Sequence, residues 1–275
     1  MNNFTQRTIT GIVFVAVLVG ATIAHPLSLF ALFFIISSLS IAEFYTISTT
    51  PKVSAHRPFG QAINGLLHAV AFLNASGSIG LGWFLALIPL ILIFFSAQLY
   101  RQKELPFSDI ALTLLGNIYI SVPFIFVYYI VLAIPMGDGI VFSPQLMIAM
   151  LIMVWTNDTG AYLSGRSFGK HKLFERISPK KTWEGAIGGT LLVVGASYLI
   201  SLWIPQIALI HWIALGIICS VTANFGDLFE SMLKRSLNVK DSGTLLPGHG
   251  GMLDRFDGVI FAIPAFFTYL HVVNL

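Results

Sequence analysis

The chain has 275 residues, of which 56% are hydrophobic and only 10% charged, with a formal net charge of +3. A soluble domain carries roughly 25% charged residues, and so little charge does not cover the surface of a water-soluble protein this long. The composition excludes that class and points to an integral membrane protein, while the single cysteine, Cys219, excludes an intrachain disulfide.

A helix needs about 20 predominantly apolar residues to cross a hydrocarbon core. Apolar blocks of suitable length run over about 8–24, 27–48, 60–75, 81–99, 109–135, 144–164, 184–204, 207–225 and 256–274. They predict an all-α, polytopic membrane protein with about nine transmembrane helices. The first block follows Arg7 and has a signal-peptide flavour, but closely spaced membrane segments come after it, so a retained helix is expected. The third block is short and carries Asn64 and His68 one turn apart. Pro89 and Pro123 fall inside blocks, where neighbouring helices satisfy the carbonyls they free; most other prolines mark block edges.

Cytoplasmic loops of membrane proteins are enriched in Lys and Arg. With the N-terminus inside and nine crossings, all fifteen Lys and Arg residues fall on the cytoplasmic side, and Asp138 is the only acid in an outer loop. The C-terminus is then outside, and the expected location is the cell (inner or plasma) membrane. One membrane domain is expected over 1–275, with 1–140 as helical scaffold and 141–275 as the catalytic half. Glu43, near the inner end of block two, either partners a basic residue or lies by the site. His25, His56, His68, His211 and His271 show no ligand spacing.

Two long cytoplasmic segments, about 165–183 and 226–256, leave room for a polar site. Residues 155–185 read WTNDTGAYLSGRSFGKHKLFERISPKKTWEG. Asn157 and Asp158 lie in an otherwise apolar helix, where an acid is functional by default or is paired with a neighbouring helix. GRSFGKHK is not a phosphate-binding P-loop, because Gly165 and Gly169 are one residue too close and His171 replaces the required Ser or Thr. In SPKKTWEG, Ser178 or Thr182 can cap the next helix, Glu184 suits its first turn, and Lys180 and Lys181 face headgroups.

The run 226–258, GDLFESMLKRSLNVKDSGTLLPGHGGMLDRFDG, gathers nine of the chain's twenty-seven charged residues. Asp227, Glu230, Ser231 and Lys234 share one face if the preceding helix continues through them. Gly248, Gly250 and Gly251 around His249 permit left-handed backbone and close ligand approach, and their amides can form an anion-binding nest. Asp254 and Asp257 follow at the mouth of the last block. Four carboxylates, Asp227, Glu230, Asp254 and Asp257, would then crowd together at a low-dielectric boundary. Their repulsion calls for protonation or a cation, and hard oxygen donors suit Mg2+. Carboxylates and basic groups beside a glycine loop indicate metal-assisted phosphoryl or nucleotidyl transfer. No zinc spacing is present, so His249 is expected to bond phosphate or to be structural.

Ser231 to Asp257 resembles, without departure, the signature of the phosphatidate cytidylyltransferases, the CDP-diacylglycerol synthases; WTNDTGAY and GRSFGKHKL…ISPKKTWEG resemble further segments of that family. The first ~140 residues agree only in hydropathy. The resemblance implies that CTP and phosphatidic acid give CDP-diacylglycerol and pyrophosphate, with Mg2+ and a second, monovalent cation (K+). It implies metal ligands at Asp227, Asp254 and Asp257, with Ser231 and Lys234 completing the catalytic set. Phosphate contacts are implied for Ser231, Lys234, Arg235, His249, Lys180 and Lys181, and support from within the membrane for Asp158. Lys240, Gly250, Gly251 and Arg255 complete the expected substrate-binding set. The expected partners are CTP, phosphatidic acid, membrane lipids and a second copy of the chain as homodimer, with no nucleic acid. A CTP-dependent kinase of a polyprenol-type lipid is the alternative enzyme. An anion transporter is the alternative of another class, disfavoured because no internal repeat is present and the charges cluster on one side.

Overall fold

Each of the nine apolar blocks corresponds to a helical rod in the computed structural model, which describes residues 3–132, 142–245, 248 and 250–275. Asp138 and His249, singled out above, lie outside the described residues. The helices are α1 (Asn3–Ala24), α2 (Pro26–Ser48), α3 (Arg57–Ala75), α4 (Leu87–Leu99), α5 (Pro106–Gly116), α6 (Val122–Leu132), α7 (Pro144–Phe168), α8 (Trp183–Trp203), α9 (Leu209–Ser236) and α10 (Leu253–Val272). A 3-10 stretch, Leu81–Ala86, leads into α4. A π turn, Asn117–Ser121, joins α5 to α6 as one rod, just before Pro123, whose ring cannot fit a regular turn over the carbonyl four residues back.

Among the described residues, six helical segments are long and apolar enough to cross a membrane: Pro26–Ser48, Leu81–Leu99, Pro106–Leu132, Pro144–Phe168, Trp183–Trp203 and Leu209–Ser236. Large apolar side chains on these rods, among them Leu99, Ile118, Leu191, Leu199 and Ile210, are exposed, as lipid-facing residues must be. The protein is therefore a multi-pass, predominantly helical membrane protein. One departure from an all-α fold is a small antiparallel hairpin, β1 (Lys172–Phe174) with β2 (Ser178–Thr182), pairing Lys172 with Thr182 and Phe174 with Ser178. Charge was the conspicuous signal there, and strands of three and five residues leave little periodicity to recognise.

The chain divides into two compact bodies, one of residues 1–143 with 241–255, the other of 144–240 with 256–275. In the first, α2 packs on α1, α3 and α5, and α3 on α6. Leu29, Phe33, Ile36, Phe44 and Tyr45 on α2, with Ile63 and Leu67 on α3 and Phe124 and Tyr128 on α6, are buried. The polar residues of the short third block find partners inside: Asn64 accepts from Ser37 at 2.7 Å and donates to Ser38 at 2.9 Å, and the His68 Nδ1 bonds the Tyr128 hydroxyl. In the second body, α8 packs against both α7 and α9.

Candidate active site

The site of the second body rests on where α9 and α10 cross. A Cβ at Gly226 would lie 2.4 Å from the Asp257 carbonyl oxygen and 3.0 Å from the Gly258 Cα, and one at Gly258 would lie 3.2 Å from the Ala223 Cβ. No side chain other than hydrogen fits between these backbones at position 226. Each glycine adjoins an aspartate in sequence, so the crossing carries Asp227 and Asp257 with it. Asp227 and Asp158 repel the Asp257 carboxylate, and Lys234 attracts it. The acids that the sequence spread over three segments thus share one electrostatic neighbourhood.

As expected, α9 continues unbroken from its apolar part to Ser236 and presents its polar face at one turn's spacing. Ser231 donates to Asp227 Oδ1 at 3.1 Å. Lys234 is ion-paired with the fully buried Glu230 one turn back. Arg235 donates to the Val239 carbonyl oxygen, closing the turn that ends α9. Lys240 and Arg255 are exposed.

The hairpin brings the basic residues. Thr182 caps α8 by accepting from the Gly185 amide, settling the choice between Ser178 and Thr182. Glu184 accepts from the amides of Lys170 and His171 and bonds the His171 ring at 2.6 Å, which ties the α7–β1 connection to the start of α8. Strand β2 then aims Lys181 at α9: its Nζ lies 2.7 Å from Asp227 Oδ2 and 3.5 Å from the Asn224 carbonyl oxygen. Both carboxylate oxygens of Asp227 are engaged, one by a hydroxyl and one by an ammonium.

Beside this pair lies a cavity of about 350 Å3 whose lining includes Asp158, Tyr162, Arg166, Lys180, Lys181, Asn224 and Asp227. Its volume is at the small end for a ligand pocket, and its wall combines two acids with three bases. Asp158 is exposed on this wall, whereas its neighbour Asn157 is buried in a network. Ser220 donates to Asn157 Oδ1 at 2.6 Å, Thr190 bonds Ser220 at 2.7 Å, and Asn224 donates to the Ser220 carbonyl oxygen. These bonds fasten α7, α8 and α9 together directly beneath the acids. Asn224 and Arg166 were not foreseen as lining residues. The spacing of Asn224, three residues before Asp227, was the available signal; Arg166 was hidden among topogenic charges.

Asp254, expected beside Asp227 and Asp257, belongs to the first body, where its Oδ2 accepts from the amides of Ser242 and Gly251. Gly248 and Gly250 have φ of 76° and 85°, the left-handed backbone anticipated from the glycine run. Glu43 also belongs here and accepts from Ser242, Met252 and Leu253.

The carboxylates of Asp227 and Asp257 are hard oxygen donors, their mutual repulsion favours a cation, and an ammonium already sits on one of them. These residues fit Mg2+, which takes one or two protein carboxylates and fills its shell with phosphate and water. Among the described residues no group of three or more His, Cys, Asp or Glu side chains is placed so that it could hold a metal ion.

Comparison with known proteins covers nearly the whole chain. The profile of the Cytidylyltransferase family matches residues 5–273. A phosphatidate cytidylyltransferase of Staphylococcus aureus (strain COL) is 34% identical over 268 residues, spanning 94% of this chain and 95% of the relative. One of Staphylococcus haemolyticus is 39% identical over 183 residues, spanning 65% of this chain and 66% of the relative. One of Staphylococcus epidermidis is 32% identical over 269 residues, with 94% and 95% covered.

Proposed function

The chain belongs to the cytidylyltransferase family, and from that premise we propose that it transfers the cytidylyl group of CTP to phosphatidic acid, releasing CDP-diacylglycerol and pyrophosphate. The observation that carries the proposal is the Asp227–Lys181 pair on the wall of a basic cavity, with Asp257 brought within repulsive reach of Asp227 by the α9–α10 crossing. In this reaction an oxygen of the lipid phosphate attacks the α-phosphorus of CTP, a new P–O–P link forms, and the bond to the β-phosphate breaks. The lipid supplies the nucleophile, so the protein's part is positioning and charge neutralisation.

Lys180, Lys181 and Arg166 bind phosphate oxygens in the cavity. Lys181 turns from Asp227 to phosphate when substrate arrives, which leaves that carboxylate available to a cation. Ser231 keeps Asp227 in the required rotamer, and Lys234, held by Glu230, balances the charge of the acids from behind. Mg2+ bound by Asp227 and Asp257 would neutralise charge on the nucleotide phosphates. Asp158 completes the acidic wall from α7. We place this site at the cytoplasmic face of the cell membrane, where CTP is available and a two-chain lipid need not leave the bilayer. The N-terminus is then inside and the C-terminus outside after nine crossings, with α1, α3 and α10 joining the six apolar segments named above. A homodimer using K+ beside Mg2+ completes the proposal, which crosslinking and cation substitution test.

The decisive experiment incubates the purified chain with CTP labelled at the α-phosphate, phosphatidic acid and Mg2+. Labelled lipid with stoichiometric pyrophosphate is the expected result. Release of CDP with unlabelled phospholipid product would instead indicate a lipid kinase.

A further inference from the structure

Glu43 lies outside the machinery just described, yet it holds the glycine-rich segment from a different helix. Its carboxylate accepts the Ser242 hydroxyl at 3.0 Å, the Met252 amide at 2.8 Å and the Leu253 amide at 2.9 Å. Among the described residues it makes no ion pair. Asp254 closes the same segment from its other side, taking the Ser242 amide at 2.9 Å and the Gly251 amide at 2.8 Å. Two carboxylates therefore draw residue 242 and residues 251–253 onto one another.

Two of the glycines record the same arrangement. A Cβ at Gly243 would lie 2.6 Å from Glu43 Oε1, and one at Gly251 would lie 2.4 Å from Glu43 Oε2 and 2.2 Å from the Ser242 hydroxyl. The space a side chain would need is taken by the Glu43 carboxylate. At these two positions the anion that the glycine run receives belongs to the chain itself. Met252 and Leu253 are also where α10 begins, and the first amides of a helix have no partner within it. A carboxylate there both satisfies those donors and suits the positive end of the helix.

We propose that Glu43 is a positioning residue for cytidylyl transfer, acting as an N-cap of α10 supplied from α2. It ties residue 242 to residues 251–253 and fixes the first turn of α10, the turn that carries Asp254 and leads into Asp257. The inference rests on the function proposed above. Glu43→Gln is the sharpest probe, since the amide keeps one acceptor but sets an NH2 group against a hydroxyl or backbone donor.

The experiment uses the full chain in detergent and has two arms. Hydrogen–deuterium exchange without substrates follows the amides of 250–255, and turnover is measured against CTP and Mg2+. Glu43→Gln is expected to speed exchange in that segment by about tenfold or more, as loss of charge-assisted bonds implies, with α7 to α9 unchanged. kcat is expected to fall by about tenfold or more while the KM for CTP stays within about twofold, the pattern of a lost transition-state arrangement. Ser242→Ala, which removes one of the three donors, is expected to move both readouts the same way by less, and it decides the matter if Glu43→Gln does not fold. Unchanged exchange at 250–255, or a loosened segment with wild-type kcat, overturns the proposal. A wild-type protein that makes no CDP-lipid overturns the functional premise instead, and the exchange arm still reports on the clasp.

Discussion

Helices of the first body meet through rings, and those of the second through glycine, hydroxyl and amide groups. On α2, α3 and α6, Phe33, Phe44, Tyr45, Phe124 and Tyr128 are buried and fill the space between helix axes. On α7, α8 and α9, Ser220 bonds both Asn157 and Thr190, and at Gly226 and Gly258 two backbones nearly touch. Ring packing fixes volume and tolerates small shifts. Backbone-to-backbone packing fixes the position of whatever side chain stands next to the contact, and here those neighbours are Asp227 and Asp257. The chemistry is therefore expected to fail wherever the second body is disturbed at this crossing, and to survive disturbance of the first body's ring-filled core.

The largest effect is expected at Asp257. Asp257→Asn keeps the shape of the side chain and removes a charge at the crossing, so turnover should fall by about 10^3-fold, the scale of losing a main electrostatic group. Size-exclusion behaviour in detergent should be unchanged. Near-wild-type labelled lipid from this variant would remove Asp257 from the site and with it the distinction between the two bodies.

Gly226→Ala comes next and tests the crossing without touching a charge. Its Cβ would meet the Asp257 carbonyl oxygen at 2.4 Å, and a backbone atom cannot swing aside. Overpacking of this kind costs about 1–3 kcal/mol. Displacement of reacting groups by about 1 Å can cost 10^2-fold in rate, and a loss of that order is expected. Gly195→Ala on α8 is the control, because nothing lies within 4 Å of the added carbon. Equal activity of the two variants would show that close approach at residue 226 is incidental.

Much of this arrangement was legible in the residues. The apolar blocks were set by the length of hydrocarbon to be crossed, and each reappears as a helical rod; the largest difference is at the end of the eighth block, where α9 runs eleven residues beyond 225 to Ser236. The polar face of α9 followed from helical spacing alone. The pairings were less accessible: Lys181 with Asp227 joins residues forty-six apart, and periodicity carries no information about which distant groups meet. Glu43 was conspicuous as an acid in an apolar block, but its partners are three groups near residue 250, two of them backbone amides that leave no mark in side-chain chemistry. The hairpin at 172–182 was obscured because its residues read first as topogenic charge. The glycines beside Asp227 and Asp257 were in plain view, and only the packed helices disclose that they serve contact between backbones.

Lys181→Ala sharpens the comparison at an intermediate scale. The ion pair with Asp227 is partly exposed, with side-chain exposures of 22% and 39%, so its loss should cost stability only about 0–1 kcal/mol. The proposed phosphate contact is a larger matter, and the KM for CTP or for lipid should rise about tenfold, in keeping with a charge-assisted bond. Lys181→Arg should recover part of the loss. Unchanged kinetics with unchanged stability would return Lys181 to a topogenic role and leave the cavity without its central base.

Phe33→Ala should have the smallest effect on turnover and the opposite profile. The ring is fully buried on α2 against Phe124 at a centroid distance of 6.0 Å, and truncation leaves a cavity costing about 3–5 kcal/mol. The thermal midpoint in detergent should drop clearly, while kcat per folded molecule stays within about twofold of wild type. The pairing of a large stability loss with intact chemistry is what a scaffold predicts, because filling a void and aligning two carboxylates draw on different contacts. If kcat instead fell with the midpoint, the rings of the first body would be setting the geometry of the acids, and the division between scaffold and site would have to be redrawn around α2.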